Sequence, residues 1–101
     1  SMSACNSKCT IRYIAGENKL LSFTASNCKL SNFMINSASY ALYQYDQEET
    51  IDQPVTNGNC NILGKTLSFQ LQIDTPGFYN LYITYMIGQE KLIAMFLVQV
   101  S

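Results

Sequence analysis

The sequence predicts a small all-β fold, and three observations support that expectation. Apolar and polar residues alternate at period two through several short runs; Gly, Pro and Asn mark turns between them; and Thr66 to Val100 divides into three successive strand-like segments. At 101 residues the chain suits one domain, 8–101, preceded by a loose polar arm at 1–7. Nearly half of the residues are apolar, enough for a core that needs neither a metal nor a disulfide.

In chain order, Cys9, Ile11 and Tyr13 alternate with Thr10 and Arg12, then Ala15-Gly16-Glu17-Asn18 supplies a turn, and Leu21, Phe23 and Ala25 alternate with Ser22 and Thr24. That spacing predicts a first hairpin. Asn27 to Ser37 is less regular; Leu30, Phe33 and Met34 have helical spacing, so one short helical turn crossing between sheets is an expectation there. Ser39 to Tyr45 is tyrosine-rich and predicts a strand. Tyr40 and Leu42 share one of its faces and Ala41, Tyr43 and Tyr45 the other, so the pattern does not orient it. Asp46 to Asp52 carries four of the seven acids, Asp46, Glu48, Glu49 and Asp52, and predicts a solvated loop. The regular spacing and glycine of a calcium loop are missing from it. Pro54 predicts a strand exit or an edge, Asn57-Gly58-Asn59 a turn, and Asn61 to Leu63 a short strand.

The closing segments are the most regular and read as a three-stranded meander. Leu67, Phe69, Leu71 and Ile73 alternate with polar residues, the pattern of a strand with one face in a core and one in water. After Pro76-Gly77, one strand places Tyr79, Leu81, Ile83, Tyr85 and Ile87 on a single face, and the last strand does so with Leu92, Ala94, Phe96, Val98 and Val100. Gly88-Gln89 between them suits a two-residue hairpin with glycine first. With that loop length Tyr85 faces Leu92, Ile83 faces Ala94, Leu81 faces Phe96 and Tyr79 faces Val98. Turn chemistry and apolar pattern therefore select one register, which a one-residue slip would destroy.

Composition excludes several function classes. Charge is sparse and nearly balanced at a formal net −1, without the basic cluster that nucleic acid requires. The apolar run from Leu92 to Val98 is far shorter than the roughly 20 residues of a membrane-spanning helix. The expectation is a soluble chain without anchor or signal peptide, and without nucleic-acid or membrane partners. Cys5, Cys9, Cys28 and Cys60 admit either thiols in a reducing compartment or one of three disulfide pairings in a secreted protein. Their spacing lacks the paired short intervals of a structural zinc site, so no metal and no cofactor is expected. Histidine is absent, which removes the commonest general base, and the serines lie outside any nucleophile-elbow pattern. An enzyme is not expected. No Asn-x-Ser/Thr acceptor occurs, which fits a bacterial or viral source.

Asp74, Gly77, Tyr79 and Leu81 open the penultimate strand in the pattern Asp-x-x-Gly-x-Tyr-x-Leu. With the chain length and about seven strands, this resembles the immunoglobulin-like superfamily, implying an antiparallel β-sandwich in which the Tyr79 hydroxyl bonds back to the preceding turn. Leu81 stands where antibody domains often carry a disulfide cysteine, and there is no tryptophan. The chain is therefore more similar to Ig-like modules of bacterial surface proteins and phage virions. The resemblance spans roughly residues 60 to 100 and implies a fold more than a function.

One feature points to a function. The side of the final hairpin opposite its core face carries Phe78, Tyr82 and Met86 on one strand and Ile93, Met95 and Leu97 on the other. A sheet face in water is mostly polar, so this patch predicts a protein interface, anchored by Tyr82 and Met95, unless the Cys28 to Ser37 segment or the amino-terminal arm covers it. Two expectations follow: a structural or assembly module acting through protein contacts or self-association, in a virion or a bacterial surface protein, or a stand-alone inhibitor or adhesin using its tyrosines and the acidic loop. Compartment stays open: virion or bacterial cytoplasm is favoured, with secretion or the cell surface as the alternative.

Overall fold

The computed structural model describes residues 10–25, 32–46 and 53–101. They form eight strands: β1 (Thr10–Tyr13), β2 (Asn18–Thr24), β3 (Ser37–Gln44), β4 (Thr56–Asn59), β5 (Asn61–Leu63), β6 (Thr66–Gln72), β7 (Gly77–Ile87) and β8 (Glu90–Val100). Two sheets result, ordered β1-β8-β7-β3-β4 and β2-β6-β5. No helix occurs among the described residues: Asn32 to Asn36 is non-helical, and the rest of the segment considered for a helical turn, 27–31, lies outside them. The expected arm at 1–7 lies outside them as well.

The β7–β8 hairpin has the register that turn and pattern predict, with Tyr79 opposite Val98, Leu81 opposite Phe96, Ile83 opposite Ala94 and Tyr85 opposite Leu92. Gly88 takes a φ of 60° at the first loop position, where a side chain would be strained. The inner faces of both sheets meet in one core. Phe23 on β2 lies 5.7 Å from the rings of Tyr85 and Phe96, and Tyr40 on β3 stacks on Phe69 of β6 at 4.2 Å. Leu42, Leu67, Leu81, Ile83 and Val98 are fully enclosed between them.

Three expectations need correction. β1 and β2 do not form a hairpin: β1 runs parallel to β8, and β2 pairs antiparallel with β6 in the other sheet. The turn between them is clamped across the sandwich, since Ala15 N–H donates to the Ser101 carbonyl (2.9 Å) and Gly16 N–H to the Ile73 carbonyl (2.8 Å). β6 likewise does not join β7 in a meander; it pairs with β2 and β5, and the chain changes sheet between them. Period-two alternation is the same whichever strand lies alongside, so it reports burial and not the neighbour. Asn57-Gly58-Asn59 is not a turn but most of β4, paired with β3. There, glycine answers a close approach: a Cβ at Gly58 would sit 3.0 Å from the Tyr40 hydroxyl oxygen and 3.1 Å from its ring. The all-β, two-sheet architecture of about seven strands is as expected, with eight strands among the described residues and β1 pairing parallel with β8.

Cys60 alone separates β4 from β5, and its N–H donates to the Ala38 carbonyl at 3.0 Å as the chain crosses between sheets. Among the described residues its thiol is free, and burial pushes it up to about 11. Cys5, Cys9 and Cys28 lie outside the described residues.

Polar contacts tie the sheets together at one edge. The Tyr13 hydroxyl, buried, donates to the Leu71 carbonyl at 2.9 Å. Beside it, Lys19 donates to the Arg12 carbonyl (2.9 Å), lies 4.9 Å from the centre of the Tyr13 ring and pairs with Glu17 at 3.5 Å. The Glu17 carboxylate accepts the Ile14 N–H at 2.6 Å, and chiefly that bond holds its pKa below the ordinary value. Burial, with a smaller contribution from Glu17, pushes the Tyr13 phenol up to about 12. A phenol whose folded pKa is raised contributes stability that is full below its unfolded pKa, about 10, and is lost as pH climbs towards 12. Urea midpoints measured at about pH 9 and about pH 11.5 should therefore fall more steeply for the natural chain than for Tyr13→Phe. Burial raises Tyr85 as well, so the variant keeps some slope. Equal slopes would remove Tyr13 from the alkaline transition.

Candidate functional site

Residues of β7 and β8 that point away from the core share the outer face of the five-stranded sheet. Because the hairpin register is fixed, Tyr82 lies opposite Met95, Thr84 opposite Ile93, Asn80 opposite Leu97 and Met86 opposite Lys91. Phe78, Ile93 and Met95 are 54%, 50% and 55% exposed, whereas Tyr82, Met86 and Leu97 are partly buried. All six sequence-predicted interface residues thus lie on one face, and three of them present half their surface to solvent.

The face continues onto neighbouring strands that the sequence did not assign to it. Ala41 lies opposite Tyr82 on β3, and Tyr43, two residues on, packs edge-on against the Tyr82 ring with centroids 5.7 Å apart. Tyr43 is buried. On the other side, Thr10 of β1 lies beside Leu97, and Arg12 donates to the Gln99 side chain at 2.9 Å, giving that margin a polar border. An apolar centre with a polar rim is the usual anatomy of a protein interface. The segment expected as a possible cover does not serve as one where it is described: Phe33 and Ile35 pack against the core, and the Asn36 N–H donates to the Met86 carbonyl as a strand-edge contact. Lys65 holds its ammonium 4.7 Å from the centre of the Phe33 ring on that inner side.

Of the acidic loop, Asp46 is exposed just after β3, while Glu48, Glu49 and Asp52 lie outside the described residues. No group of three metal-ligating side chains occurs among the described residues. Beside Asp46 lies an open cleft of about 300 Å³, lined by Gln44 and Tyr45 at the end of β3 and by Thr75, Pro76, Gly77, Phe78 and Tyr79 at the start of β7. The Tyr79 hydroxyl donates to the Thr75 carbonyl at 2.6 Å, closing this turn upon itself. Sequence reasoning missed the cleft because its two walls lie about thirty residues apart. The signal that could have found it is the pair of apolar aromatics, Tyr45 and Phe78, each placed just outside a regular strand interior.

The sequence matches no protein-family model, and no curated protein is similar to it.

Proposed function

We propose that this chain is a non-enzymatic structural or assembly module of the immunoglobulin-like type, working through protein contacts on the outer face of the five-stranded sheet. The observation that carries the reading is the contiguous apolar centre of that face, with Ile93, Met95 and Phe78 half exposed around Tyr82. Side chains of this kind gain roughly 25 cal/mol per Å² when an interface removes them from water. An Ig-like assignment is supported by the Tyr79 hydroxyl bond to Thr75, by a first strand running parallel to the last, and by the division of strands between the sheets. Modules of this architecture in phage virions and bacterial surface proteins are the class it most resembles. Self-association is the simplest form of such contact.

The experiment is solution mass by light scattering on the natural chain and on Met95→Glu. An oligomer is expected for the natural chain, and the variant should dissociate by at least tenfold in Kd while keeping its thermal midpoint, since Met95 is outside the core. Unchanged assembly in the variant would move the interface elsewhere.

A further inference from the structure

We infer that the cleft between the end of β3 and the start of β7 is a binding site for an arginine side chain presented by a partner polypeptide. It shares Phe78 with the outer-face patch, while Tyr45, Asp46, Thr75, Pro76 and Gly77 lie outside the six residues of that patch.

Its size comes first. A volume of about 300 Å³ lies at the lower end for ligand sites, room for one long side chain and not for a folded element. Its chemistry comes next. Tyr45 is 62% exposed and Phe78 54%, so two solvent-accessible aromatic side chains line the cleft, and aromatic rings attract cations. Among the described residues the one charged residue in the lining is Asp46, and Asp74 immediately precedes the opposite wall. No lysine or arginine among the described residues lines it. Aromatic faces with a carboxylate select a cation. A planar guanidinium stacks on a ring while its N–H groups reach a carboxylate in pairs, which a compact ammonium does less well.

The walls are set before any ligand arrives. Tyr45 N–H donates to the Phe78 carbonyl at 3.0 Å, the Asn80 side-chain amide donates to the Tyr45 carbonyl at 3.4 Å, and the Tyr79 hydroxyl holds Thr75. Backbone so fixed loses little freedom on binding, so a single side chain can register measurable affinity.

The test is an amide chemical-shift titration of the full chain with acetyl-Gly-Gly-Arg-Gly-Gly-amide and with its citrulline counterpart, which keeps the shape and loses the charge. Saturable shifts centred on Tyr45, Asp46 and Phe78 are expected, with Kd on the order of 1 mM and at least fivefold weaker binding of the citrulline peptide. Asp46→Asn and Phe78→Leu should each weaken the arginine peptide several-fold. Asp46 is exposed, so its variant keeps the fold, which the dispersion of the same spectra verifies. Equal binding of both peptides, shifts centred on Ile93 and Met95 instead, or no saturation by about 10 mM would overturn the assignment.

Discussion

Phe23→Ala should cost about 3–5 kcal/mol of folding stability, the largest effect of any single substitution proposed for this chain. Phe23 is wholly enclosed, and its ring joins the two sheets by meeting Tyr85 and Phe96, both 5.7 Å away, from the opposite side of the sandwich. Truncation removes that apolar area from the core and leaves a cavity among side chains anchored on β7 and β8, which can collapse only partly. For a domain of this size the thermal midpoint should drop by more than about 10 °C. Phe23→Leu, which keeps much of the volume, should lose markedly less. Urea unfolding of the three proteins checks the order. A loss below about 1 kcal/mol for the alanine variant would place Phe23 away from the packing centre.

Gly58→Val should destabilise by about 1–3 kcal/mol, even though valine is the better strand residue and β4 is a strand. Overpacking is the reason. The added side chain meets the Tyr40 ring, which cannot retreat because its other face stacks on Phe69 at 4.2 Å with the planes 10° apart. Since Gly58 does not hold a positive φ, the penalty belongs to the contact and not to the backbone. It should therefore vanish when the ring is removed: in a Tyr40→Leu background, Gly58→Val should be neutral or stabilising. A double-mutant cycle measures this coupling directly. A penalty that persists in full without the ring would falsify the close-approach account.

That cycle also shows where sequence reasoning stops. Asparagine and glycine in succession favour a turn when only local conformation is considered, and nothing local announces that an aromatic ring from another strand will lie over the glycine. The same limit produced the false hairpin. Ile11 and Tyr13 alternate as a strand must, and so do Leu21 and Phe23, yet the intervening N–H groups bond to Ile73 and Ser101, fifty or more residues away. Ser39 to Tyr45 was ambiguous for a related reason: apolar groups on both faces give no orientation. The structure resolves it by burying Leu42 and Tyr40 against the other sheet and setting Tyr43 against Tyr82.

Local pattern and turn chemistry are enough to specify the closing hairpin. The strand positions in the last third, the two-residue hairpin at Gly88-Gln89, its register, and hence the clustering of Phe78, Tyr82, Met86, Ile93, Met95 and Leu97 on one face all follow from period two together with loop length. Which sheet each strand joins, the parallel run of β1 beside β8, the need for glycine at residue 58, and the meeting of Tyr45, Asp46 and Phe78 at one cleft emerge from long-range packing alone. Those are pairings between segments distant in the chain, settled by the mutual fit of side chains and by where leftover backbone groups find partners.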